Sequence, residues 1–155
     1  IASISERRIN QMMDPQWSGQ NAFLANIEGL ESGLMIIQYV AAALIAELHL
    51  LSNPVTKSNV PVSLGKEDHV SMGATSTYRT LRSSELLAQV IANELICSSE
   101  ALRRNELDAG RGVRKVTAWV GSLVPALTSD RSMSDECMRV ATGLLSGRLS
   151  QAMGD

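Results

Sequence analysis

Thirteen consecutive residues, Leu34 to Ala46 (LMIIQYVAAALIA), contain a single strongly polar side chain, Gln38. Wound as a helix, such a run keeps no side for water, yet it is too short to cross a bilayer, so it reads as a buried core helix. Its continuation through Glu47 and His49 to Leu51 favours the same reading. A helix apolar all round needs neighbours on every side. That is hard to arrange in 155 residues, and the run points to partner subunits or further domains packed around it.

The other segments are rich in Ala, Leu, Ser and Glu and poor in strand-forming runs, so the expected class is all-α, a helical bundle, with 1–155 as one helical domain. SISERRINQMM (3–13) reads as a short helix, capped by Ser3 or Ser5. Residues 14–33 are punctuated by Pro15, Gly19, Gly29 and Gly33 and read as irregular, with Trp17, Phe23 and Leu24 tucked against a larger body. Residues 52–68 read as a loop. Asp68 or Ser71 can cap a long helix running to about residue 108, with the stripe Leu87, Ile91, Leu95, Ser98, Leu102 widened by Leu86, Val90, Cys97 and Ala101. DAGRG (108–112) breaks it. A further helix places Val113, Val116, Val120, Leu123 and Val124 on one face up to Pro125. A last one, after the cap candidates Ser132 and Ser134, aligns Cys137, Val140, Ala141, Leu144 and Leu145.

With 45% hydrophobic and 19% charged residues the chain is of globular composition. A net charge of −2 and only one Phe, two Trp and two Tyr argue against a nucleic-acid surface or an anionic-membrane partner. Cys97 and Cys137 fall on apolar helical positions and read as buried reduced thiols, which points to the cytoplasm. The opening IASISERRIN has no apolar core of a secretory leader. Because the first residue is Ile1, a processed or excised part of something longer is expected.

Candidate chemistry concentrates in GKEDHVSMG (65–73). The chain has only two histidines, His49 and His69, and no Cys-x-x-Cys or His-Glu-x-x-His spacing, so no metal is expected. Ser71 beside His69 is adjacency, not a nucleophile triad, and the glycines do not form a phosphate-binding pattern. From residue chemistry alone, Lys66, Glu67 and Asp68 form a solvated cluster at a helix start, with Asp68 as the cap and Glu67 left over in the loop.

The string EDHVSMG (67–73), taken with SGLMIIQYVAAALIAE (32–47), closely resembles the C-terminal half of histidine ammonia-lyases, which belong to the aromatic amino acid ammonia-lyase and aminomutase family. ISERRI (4–9), ANELICSSEALRR (92–104) and VRKVTAWVGSLVPALTSDRSMSDE (113–136) look like the family's later helices and tail, so the resemblance covers nearly the whole chain. It implies a mostly helical homotetramer that acts on a small amino acid, removing ammonia from L-histidine to give urocanate. The implied cofactor is a methylidene-imidazolone electrophile, made autocatalytically from an Ala-Ser-Gly segment, with no metal. No Ala-Ser-Gly occurs in this sequence. The expectation is therefore a C-terminal portion of a longer lyase, inactive by itself.

Three positions match the family's site one at a time. Glu67 matches the active-site glutamate of histidine lyases, where a carboxylate can bind a substrate imidazole. Met35 matches a pocket-lining methionine, and Tyr39, one turn later on the same face, a second lining position. For both, simple core packing is the alternative. Lys66 departs from the glutamine or threonine common in histidine lyases, and a lysine there can pair with Glu67 and weaken its hold on imidazole. Asp68 reads as a helix cap and His69 as a packed, hydrogen-bonded histidine. Two other functions stay open: a lyase or aminomutase for phenylalanine or tyrosine, and a non-catalytic helical fragment that only oligomerises.

Overall fold

The computed structural model describes residues 1–105 and 108–154. Its longest element, α4 (Gly73–Asn105), is about 50 Å of helix. Around it lie α1 (Ala2–Met13), α3 (Met35–Leu51), α5 (Arg111–Leu123) and α6 (Ser134–Leu145), with the short α2 (Pro15–Ser18) and α7 (Arg148–Met153) at the flanks. The described residues contain no strand, and the all-α expectation is met. The α4 helix begins at Gly73, and residues 106 and 107, at its expected end, lie outside the described residues.

The α4 helix buries Leu86, Val90 and Cys97 completely, whereas Leu87, Ile91 and Leu95 of the expected central stripe are half-buried. The physical reason is that α4 is covered on two flanks, by α1 and α3 and by α6. Ile9 and Met13 of α1, Ile37 and Ala41 of α3, Ile96 and Cys97 of α4, Val120 of α5 and Val140 of α6 form one continuous apolar core.

The α3 helix runs antiparallel to the first half of α4. Arg82 Nε pairs with Glu47 Oε1 at 2.9 Å, and the Arg79 guanidinium donates to the Leu50 carbonyl at 2.8 Å. In this chain α3 is far from wholly buried. Only Ile37 and Ala41 are buried, while Ile36 is 60% and Tyr39 67% exposed. Its main neighbours, α4 and α1, cover one side.

Apart from α2 and a 3-10 turn at Ala22–Leu24, segment 14–33 is irregular and is held by hydrogen bonds. The buried Glu100 carboxylate accepts from Arg104 Nε and the Arg103 guanidinium, each at 3.0 Å, and from the Leu127 N–H at 3.3 Å. Arg104 also donates to the Ala25 carbonyl and to Asn26 Oδ1, while Asp130 accepts from the N–H groups of Ser32 and Gly33. Leu24 is buried and Phe23 packs on the core as expected, but Trp17 is 64% exposed, with the Arg7 guanidinium 5.8 Å from its ring centroid. The expected serine caps are not used: Ile1 precedes α1 and Met133 precedes α6, neither with a side-chain bond, and Ser5 is buried within its helix.

Candidate active site

Glu67 lies in the α3–α4 connection, residues 52–72. Short 3-10 turns cover Val55–Ser58 and Ser63–Gly65. Around the second turn the chain doubles back: the Val62 N–H donates to the Glu67 carbonyl at 2.9 Å, and the Glu67 N–H donates to the Val62 carbonyl at 3.3 Å. The tip is left-handed at Ser63, Leu64 and Gly65 (φ 56°, 58° and 79°). Two of these carry a Cβ, so the tip stores backbone strain. Residues 60–69 are all exposed, and no helix among the described residues covers Glu67.

The roles expected of its neighbours change. Asp68 lies five residues before the start of α4 and does not cap it, whereas the Ser71 hydroxyl accepts a long bond, 3.4 Å, from the Gly73 N–H. His69 is exposed, with no hydrogen-bond partner among the described residues, so it is not a packed histidine. The reciprocal pairing of residues 62 and 67 keeps this segment out of the helix. Lys66 and Glu67 form no ion pair with each other. No group of three or more His, Cys, Asp or Glu side chains gathers among the described residues.

Met35 opens α3 and is half-buried, and Tyr39 stands one turn later on the same, largely open face. Met35 and Tyr39 share this face, and Glu67 belongs to the connection that leaves the far end of α3. Met35 to Leu51 spans about 24 Å of helix. A cavity of about 620 Å³ opens on the adjacent side of α3, against Ile36, Ile37, Val40, Gln89, Asn93 and Met138. Neither Met35 nor Tyr39 lines it.

Neither cysteine is disulfide-bonded. Burial pushes the Cys97 thiol far above its ordinary range and raises Cys137, which is only half-buried, to about 11, so both are protonated at neutral pH and poor nucleophiles.

Residues 1–122 match the sequence model of a family described as aromatic amino acid lyase. The chain belongs to the aromatic amino acid lyase family. It is 41% identical to a histidine ammonia-lyase of Deinococcus radiodurans over 149 residues, which are 96% of this chain and 28% of that protein. Its fold superposes on a histidine ammonia-lyase from Trypanosoma cruzi with a TM-score of 0.91 at 32% identity, covering 98% of this chain and 30% of that one. It superposes equally well on a tyrosine aminomutase from Streptomyces globisporus, with a TM-score of 0.92 at 30% identity and the same coverage. This aromatic amino acid lyase chain thus spans about 30% of the length of the relatives it matches. Among the described residues, no helix is long and apolar enough to cross a membrane.

Proposed function

We propose that this chain is the C-terminal helical part of a longer, cytoplasmic ammonia-lyase that converts L-histidine to urocanate. The observation that carries the reading is the carboxylate of Glu67, held on a hydrogen-bonded, outward-facing tip and free of any ion pair. A carboxylate can accept a charge-assisted hydrogen bond from an imidazole N–H, which a phenyl ring cannot offer. Its role is to orient the imidazole and tune proton transfer. Met35 and Tyr39 line the remainder of the substrate pocket. The family's methylidene-imidazolone supplies the electrophile. Its Ala-Ser-Gly segment is absent from these residues, so turnover needs the rest of the longer protein and this chain alone is inactive.

The exposed apolar side of α3, with Ile36 60% and Tyr39 67% open, bears on assembly. A neighbouring copy would cover it, so the active unit is a homo-oligomer, a tetramer in the family's manner. Light scattering of the full-length enzyme tests this: a tetramer is expected, and a monomer that turns over L-histidine would overturn it.

A second reading has its own support: the match to a tyrosine aminomutase is as good in fold. The full-length enzyme supplied separately with L-histidine, L-phenylalanine and L-tyrosine separates the two. Urocanate from histidine alone supports the first; a cinnamate-type acid or a β-amino acid from the others supports the second.

A further inference from the structure

Among the described residues, no hydrogen bond or ion pair ties residues 60–69, the loop that carries Glu67, to the helices, and the loop's tip has three consecutive left-handed residues. The bonds that shape it here lie within the loop. The reciprocal backbone pair between Val62 and Glu67 is one rung. Three residues farther from the tip on each side stand Asn59 and Val70, and there the second rung is a side chain. Asn59 Nδ2 donates to the Val70 carbonyl, and Asn59 Oδ1 accepts from the Val70 N–H at 3.0 Å. A carboxamide has one donor edge and one acceptor, so it can serve both groups of one residue as an opposing peptide would. Both Asn59 and Val70 are half-buried, the least exposed positions on the two arms of the loop between Val60 and His69. The 62–67 backbone pair alone would be a single, water-exposed bridge at a strained tip, which is marginal in water.

We propose that Asn59 is a positioning residue for Glu67: its carboxamide closes a two-rung hairpin that fixes the Glu67 backbone and so the direction in which its carboxylate faces substrate. This rests on the reading of Glu67 as the imidazole-binding group. Alanine at 59 removes both bonds of the outer rung, and aspartate keeps only the acceptor for the Val70 N–H while placing a charge against the Val70 carbonyl.

The test is a double-mutant cycle in the full-length enzyme, with kcat and KM for L-histidine measured for wild type, Asn59→Ala, Glu67→Gln and the double variant. Asn59→Ala should lower kcat/KM about tenfold in the wild-type background, and less than twofold when Glu67 is already glutamine. An equal loss in both backgrounds, or none in the first, would overturn the proposal. Amide hydrogen exchange of the same proteins reads the hairpin without reference to activity. The Val62 and Val70 amides should exchange faster in Asn59→Ala and at an intermediate rate in Asn59→Asp, with the α4 amides unchanged. If the Val62 amide is unaffected by loss of Asn59, the hairpin is not closed by this side chain. If Glu67→Gln alone leaves histidine turnover intact while the exchange result holds, the reading of Glu67 has failed and that of the Asn59 clasp has not.

Discussion

The indole of Trp119 presses against Gly143: a Cβ built on the glycine would lie 2.6 Å from Trp119 Cζ2. This is how α5 and α6 approach closely. In an exposed helix interior, glycine to alanine gains up to about 1 kcal/mol. Here overpacking outweighs that gain, and Gly143→Ala should destabilise by about 1–3 kcal/mol. Gly121→Ala in α5, where a Cβ would meet nothing within 4 Å, is the control and should be neutral or stabilising. Urea midpoints of the two variants separate packing from propensity.

Gly33 combines two constraints. Its φ is +56°, and a Cβ there would lie 2.4 Å from the Phe23 carbonyl oxygen, which already accepts from the Leu34 N–H at 2.8 Å. Both the clash partner and the turn are backbone, so no side chain can yield. Gly33→Ala should cost at least about 2 kcal/mol, and the loss should appear as a lowered thermal midpoint.

Removing Glu100 leaves Arg103 and Arg104 without their shared acceptor and the Leu127 N–H unpaired. Glu100→Ala should destabilise by about 2–3 kcal/mol, since charge-assisted bonds to a buried group are lost together. Amide exchange should localise the loosening to residues 20–33 and 125–130, which this carboxylate ties to α4.

The raised thiols make stability fall at alkaline pH. Below about pH 8 both cysteines are protonated, folded or unfolded, and contribute no pH dependence. Between about 9 and 11 the unfolded chain loses the Cys137 proton while the folded chain keeps it, so unfolding is favoured as pH rises. Cys97 acts with the same sign and extends the trend upward. Unfolding free energies across this range should fall in wild type and fall less in Cys137→Ala. A pH-independent difference between the two would contradict the shift.

Helical periodicity makes the element centres legible because core contacts repeat every three or four residues, as Val120, Val124, Val140 and Ala141 illustrate. The ends are less so. Asp68 is a good cap by local preference, yet the pairing of Val62 with Glu67, and of Asn59 with Val70, keeps the chain non-helical to Met72. Those pairings form across a turn and leave no periodic trace. Glu100, Arg103 and Arg104 stand at readable i, i+3 and i+4 spacing, but the arrival of Leu127 at the same carboxylate depends on how the chain returns. The apolar run in α3 reads as a buried helix, yet in this chain one side of it is exposed, because few elements surround it. Glu67 stood out only through resemblance, since an exposed acid in a loop has no chemical signature of its own.

The most direct measurement is kcat/KM of the full-length enzyme for L-histidine before and after Glu67→Gln, with urocanate formation followed by absorbance. Loss of the charge-assisted bond to imidazole predicts a fall of about 10- to 100-fold. Unchanged histidine turnover would contradict the assignment of Glu67 as the group that recognises the substrate.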